Sequence, residues 1–230
     1  MYQIQALGAD IPKDRNFELL AKNDGLDVVF AGSNLEREQK YRAVYFPLFK
    51  GLYGWRIPLV RRTHLDPFND IHSLAEFKHL IAGQFHTWSD TQVLESNGIT
   101  VAKGTNFDGL FGMLSKGRFD YFPRSVLEID QDYYSHKNLN IAIEPSIILH
   151  YPTAFYMYVS KENEILADDL LAGLEAAHTD GSFNKLFMQF YGQQVNKVID
   201  TNRRVIQLKN PFLPKETPLE RSELWLKLDN

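Results

Sequence analysis

The sequence predicts an α/β protein built as two lobes. Three observations carry this expectation. Strand-like and helix-like segments alternate in two separate runs. A late strand with two helices behind it follows the second run. Apolar residues make up 44% of 230 residues, enough for one large core or two small ones. Alternation of this kind builds sheets covered by helices and argues for mostly parallel strands.

The elements follow in order. Tyr2 to Leu7 alternates like a short strand. Pro12-Lys13-Asp14 opens a helix with Phe17, Leu20 and Ala21 on one face, and Gly25 stands where a helix-ending glycine belongs. Leu26 to Phe30 is a buried strand that runs into Ala31-Gly32-Ser33, and Ala43 to Phe46 is the next. Trp55 to Val60 reads as a strand, Ser73 to Leu80 as a short helix, and Leu80 to Ala82 as a brief strand. Ser89-Asp90 caps a helix running to Ser96. Ile99 to Ala102 is extended. Phe107, Leu110, Phe111 and Leu114 then fall at i, i+3, i+4 and i+7, a helical face that ends before Gly117. Phe119 to Phe122 and Ala154 to Val159 are strands. Leu166 to Ala177 and Phe183 to Phe190 carry helical spacing, and Arg204 to Leu208 is extended. The tail NPFLPKETPLERSELW, with three prolines, is a packed irregular strap.

Composition narrows the function. Twenty-five Lys and Arg stand against 29 Asp and Glu, a formal charge of −4, so the basic excess of a nucleic-acid binder is missing. The absence of cysteine excludes disulfides, thiolate catalysis and cysteine zinc sites. No apolar stretch reaches the ~20 residues a membrane helix needs. The richest, Ile141 to Tyr158, is broken by Glu144, Pro145, His150 and Pro152. The opening MYQIQALGADIPKDR has neither the basic start nor the apolar core of a secretion leader. The seven histidines form no HxH or HExxH pair, and there is no nucleophile elbow or glycine-rich phosphate loop. The expectation is a non-enzyme without metal or cofactor.

Three ordered stretches resemble the type II periplasmic solute-binding proteins that serve polar amino acid ABC transporters. LDVVFAGSNLEREQKYRAVYFPLFKG (26–51) looks like that family's first-lobe segment. HSLAEFKHLIAGQFHTWSDTQVLESNGITV (72–101) looks like the opening of its second lobe. FDGLFGMLSKGRFDYFPRSVLEI (107–129) is similar to its cleft wall, and residues 154–187 to its return strand and C-terminal helices. The resemblance implies a two-lobed fold with a hinge and an interlobe ligand cleft. It places lobe 1 at 1–57 plus 156–230 and lobe 2 at 62–150, with hinge crossings near 58–61 and 151–155. It implies a small polar or anionic solute, an ABC transporter permease as partner and a periplasmic location. The alternatives are a ligand-sensing module of a receptor or a dehydratase-like enzyme on the same fold.

The resemblance also names candidate ligand-binding residues: Ser33, Asn34, Arg37, Thr87, Trp88, Asp90, Asp120 and Arg124. Arg37, with Arg42 as its substitute, is positioned to take a carboxylate as a bidentate charge-assisted pair, or else it pairs with Glu36 or Glu38. Thr87 to Asp90 stand at a helix start, where free N–H groups favour an anion and Asp90 a cation. Trp88 lies against an apolar part of the solute or belongs to the core. Five residues beyond Asp120 the family commonly places an aspartate, and this chain has Ser125 preceded by Arg124, which tilts the expectation toward anionic ligands. The front is short of the family's first strand and helix. Tyr2 to Leu7 is therefore expected at an exposed sheet edge that invites self-association.

Overall fold

The computed structural model describes residues 2–6, 13–22, 24–199 and 202–227. The first run becomes α1 (Lys13–Lys22), β1 (Val29–Gly32), α2 (Leu35–Lys40) and β2 (Arg42–Val44). The second run is β3 (Trp55–Arg61), α3 (Leu74–Phe77), β4 (Ala82–Phe85), α4 (Ser89–Ser96), β5 (Val101–Gly104), α5 (Phe107–Ser115) and β6 (Tyr121–Ser125). It continues through α6 (Ile129–Ser135), β7 (Ile141–Ile143) and β8 (Ile147–His150). The chain ends in β9 (Phe155–Val159), α7 (Glu164–Thr179), α8 (Ser182–Ile199) and β10 (Arg204–Gln207).

Local chemistry explains most boundaries. Ser73 and Glu76 close a capping box around α3, each side chain taking a backbone N–H of the other. Asn106 caps α5 by accepting from the Gly109 N–H at 2.7 Å. Gly98 and Gly117, at φ +77° and +69°, turn the chain out of α4 and α5 in a conformation costly for other residues. Helix α4 differs from expectation. Its cap position is Trp88, which makes no side-chain bond to the helix, while Ser89 and Asp90 lie in the first turn.

The strands form two sheets. The smaller has the order β1-β9-β2, with β9 antiparallel to both neighbours. The larger has the order β10-β8-β3-β6-β4-β5, with β7 also paired to β3. It is mixed rather than mostly parallel: β3 runs against β6, β7 and β8, while β4 runs with β5 and β6. One face of the larger sheet buries Ile57, Leu59, Phe111, Leu114, Phe122 and Ile129. The other buries Val60, Phe77, Leu94, Tyr121 and Leu149. The smaller sheet packs Phe17 and Leu20 of α1 on one face and Leu166 and Ala167 of α7 on the other.

Three expectations meet differences here. Of Tyr2 to Leu7, residues 2–6 form no strand, and Leu7 and Pro12 lie outside the described residues. Residues 58–61, expected as a hinge crossing, are paired along their length with β6 or β7 inside the larger sheet. Pro58 faces Pro123 in that ladder. The Pro58 carbonyl accepts from Glu144 on the opposite side. The proline pair is therefore of the non-hydrogen-bonded kind, and neither missing N–H costs a β3–β6 bond. The short segments that join the sheets are 45–54 and 151–154, and α7 with α8 makes a third, longer passage from β9 to β10. Finally, β10, in the stretch assigned to lobe 1, runs parallel to β8 in the larger sheet.

Candidate functional site

The predicted residues stand mostly at the carboxyl ends of strands, where open α/β sheets bind ligands. At the end of β1, Asn34 caps α2 and accepts from the Arg37 N–H at 2.7 Å. The Ser33 hydroxyl donates to Glu38 at 2.6 Å. Arg37 donates to the Gly32 carbonyl, and its guanidinium carbon lies 4.9 Å from the Phe17 ring centroid and 5.8 Å from that of Tyr158. None of the ion pairs among the described residues uses it. Arg42, its substitute, instead pairs with Glu164. Glu38 gathers hydroxyls from Ser33 and Tyr45, and burial holds its carboxyl above the ordinary value against those bonds.

The second group closes the carboxyl ends of β4 and β6. Arg124 is 5% exposed, with its guanidinium carbon 4.9 Å from the Trp88 centroid and 5.1 Å from those of Phe107 and Phe122. Its Nε donates to Asp132 at 2.6 Å and its Nη2 reaches Glu128 at 3.1 Å. Arg56, paired with Ser125 across β3 and β6, is 7% exposed and holds Asp90 at 2.5 Å. The Tyr151 hydroxyl donates to the same Asp90 oxygen. Glu128, at 34% exposure, bridges both arginines, 3.9 Å from Arg56. Burial pushes the Asp132 carboxyl up, and Arg124 opposes it. Two cations thus meet three carboxylates.

This arrangement removes the physical basis for an anion preference from Arg124, whose charge is spent on Asp132 and Glu128. Asp90 is likewise committed to Arg56 and Tyr151. Trp88 serves the Arg124 cage and stacks on Phe122 with 6.2 Å between centroids. Thr87 is exposed in the turn before α4. Asp120 does not join the group. It lies at the opposite end of β6, about 13 Å along the strand from Arg124, where it accepts from the Ile81 N–H at 2.7 Å and faces His64 at 3.6 Å. A cavity of about 250 Å³ beside β2, lined by Tyr41, Arg42, Tyr45, Lys161 and Asp168 among others, contains none of the eight predicted residues.

Sequence reasoning missed Arg56, Glu128, Asp132 and Tyr151. One signal was present: Arg124, Glu128 and Asp132 recur at i, i+4 and i+8, opposite charges a few residues apart.

No protein-family model matches the chain, and no curated protein matches it in sequence. Solved structures do. An ancestral arginine-binding protein bound to arginine is similar over 79% of each chain, at 21% identity and a TM-score of 0.56. A probable amino-acid ABC transporter extracellular-binding protein from Bacillus subtilis is similar over 79% of this chain and 78% of its own, at 17% identity and a TM-score of 0.60. A periplasmic binding protein of high arginine specificity from Salmonella typhimurium is similar over 75% and 74%, at 18% identity and a TM-score of 0.51. The fold is therefore the two-lobed α/β fold of these binding proteins.

Proposed function

We propose that the chain is a non-enzymatic solute-binding protein that captures a small polar solute between two lobes and delivers it to an ABC transporter permease, from the periplasm. Lobe 1 is the smaller sheet with α1, α2 and α7, lobe 2 is the larger sheet with α3 to α6, and the hinge runs through 45–54 and 151–154. The observation that carries this reading is Arg37: a half-buried guanidinium at the carboxyl end of β1, cradled by two rings, with no ion pair among the described residues. It is the group that would hold a solute carboxylate. Ser33, Asn34, Thr87 and Trp88 flank the same cleft in this reading. Self-association along the outer edge of β1, where Phe30 is exposed, accompanies it, and light scattering reads it.

Calorimetric titration of the purified chain with the twenty amino acids and small carboxylates tests the reading. Saturable binding of at least one solute is expected. Arg37→Ala then weakens it roughly 10- to 150-fold, the worth of a charge-assisted pair. Binding indifferent to Arg37→Ala, or no binding across the panel, defeats it.

A further inference from the structure

The C-terminal segment does more than end the chain. Beyond α7, which packs on the smaller sheet, α8 crosses toward the larger one: Phe183 meets Phe46 at 4.9 Å, whereas Val195 and Val198 are buried in the core cluster that also holds Trp55 and Ile57 of the larger sheet. β10 then adds to the edge of the larger sheet. From there residues 208–226 run back. They leave the larger sheet firmly anchored: the Leu208 N–H donates to His150, and Lys209 exchanges two hydrogen bonds with Asn97 at 2.9 and 2.7 Å. The Asn210 amide next donates to the Pro152 carbonyl at 2.9 Å, on the segment 151–154 that joins the sheets. At the other end Arg221 grips Glu175 of α7 with two hydrogen bonds, and the Leu226 N–H donates to the Lys50 carbonyl at 2.8 Å, on the segment 45–54. Trp225 lies over Gly51, where a Cβ would stand 2.9 Å from the indole.

Between these anchors the segment is a series of turns, closed by Thr217 N–H to Pro214 and Arg221 N–H to Pro218. The prolines cut the freedom such a segment would gain on release, so its ordered form is held at small entropic cost. Underneath lies a cavity of about 130 Å³ lined by both joining segments and by the segment itself, including Trp55, His150, Pro152 and Trp225. Room therefore remains at the place where hinge rotation must occur.

We propose that residues 208–226 are a tether across both joining segments that limits how far the lobes open, and that the grip on Lys50 and Glu175 must loosen for the cleft to widen. This rests on the two-lobed binding reading, but its readouts need no solute. A protease recognition site inserted in the exposed Lys215–Glu216 turn allows the folded full-length chain to be nicked with both pieces retained. A compact chain of this length has a radius of gyration of about 17 Å. Nicking is expected to raise the value measured for the intact chain. It is also expected to speed hydrogen exchange of the Leu52, Gly54 and Tyr151 amides about tenfold while leaving that of Leu114 in α5 unchanged. The double variant Arg221→Ala/Trp225→Ala is expected to move the same readouts in the same direction. An unchanged radius and unchanged exchange in the nicked chain overturn the proposal. Loss of cooperative melting on nicking also overturns it, because the segment would then be core rather than tether. Failure to bind any solute would count against the proposed function and leave these two measurements interpretable.

Discussion

Replacing Gly54 by alanine probes the closest approach between the two short segments that join the sheets. Gly54 ends the turn before β3, and its carbonyl accepts from the Tyr151 N–H at 3.2 Å. A Cβ at this position would fall well inside 3.0 Å of the Tyr151 carbonyl oxygen and 3.2 Å from the Thr153 methyl. The obstacle is backbone, so no side chain can swing away, and the two segments must separate. Gly54 has no positive φ, so the effect is steric rather than conformational. Overpacking costs about 1–3 kcal/mol and the strained Tyr151–Gly54 bond about 1 kcal/mol more, together roughly 2–4 kcal/mol. For a chain of this size each kcal/mol moves the melting temperature by about 2–4 °C. Gly54→Ala is therefore expected to lower the Tm by roughly 4–16 °C in thermal unfolding followed by circular dichroism. A variant melting within about 2 °C of the parent would show that the close approach is not a constraint on the fold.

Gly173→Ala is the matching opposite case: an added Cβ in α7 meets nothing within 4 Å, so helix propensity alone should raise stability by about 0.8–1 kcal/mol, and a lower Tm would contradict it. Arg124→Met leaves Asp132 half-buried without its partner and should cost about 3 kcal/mol near neutral pH, with Arg124→Met/Asp132→Leu recovering part of the loss. Equal stability of the single variant and the parent in urea unfolding would refute that account. Glu38 supplies a pH test. Its folded carboxyl sits above its ordinary value because of burial, so the stability it contributes is complete below the unfolded value and is lost as pH rises through the folded one. Glu38→Gln, which cannot ionise, should therefore gain on the parent as pH rises through the range above the ordinary carboxylate value. A stability difference that stays constant across that range would show that Glu38 does not titrate as its surroundings require.

Local signals in the sequence located the longer apolar-striped helices. The Phe107-Leu110-Phe111-Leu114 stripe acts over a few residues and stands in the fold as α5, and the Ser73 to Leu80 stretch contains α3, whereas α2 and α6 were not expected as helices. Strand ends drifted by about two residues, as for Phe119 to Phe122 against Tyr121–Ser125, because a strand's limits depend on its neighbours. Pro123 carried no strand signal of its own. It lies within β6, and only the register with Pro58 shows why that is tolerated. The placement of β10 had no local signal, since four extended residues fit either sheet edge. The site divided along the same line. Arg37 was singled out beside Ser33 and Asn34 in the sequence, whereas the Arg56–Asp90–Tyr151 contact joins positions 34 and 61 residues from Asp90. The neutralisation of Arg124 shows in the sequence only as the spacing of Arg124, Glu128 and Asp132, and its geometry comes from α6 following directly on β6.

Under the proposed function, the pairing at the end of the larger sheet also bears on how fast a solute would find this protein. Arg56 and Arg124 each touch a carboxylate, so at a distance the group presents compensating dipoles and a single surplus negative charge rather than a cationic wall. Such fields fade over a few ångströms, and physiological salt screens what remains beyond about 8 Å. Of the arginines predicted for the site, Arg37 at the end of β1 is the one without an ion pair among the described residues. On that reading encounter would be governed by diffusion into the gap with little dependence on ionic strength at this group, and charge would act once the solute is within contact range. Discrimination between solutes is thereby shifted from the rate of arrival to the lifetime of the bound state.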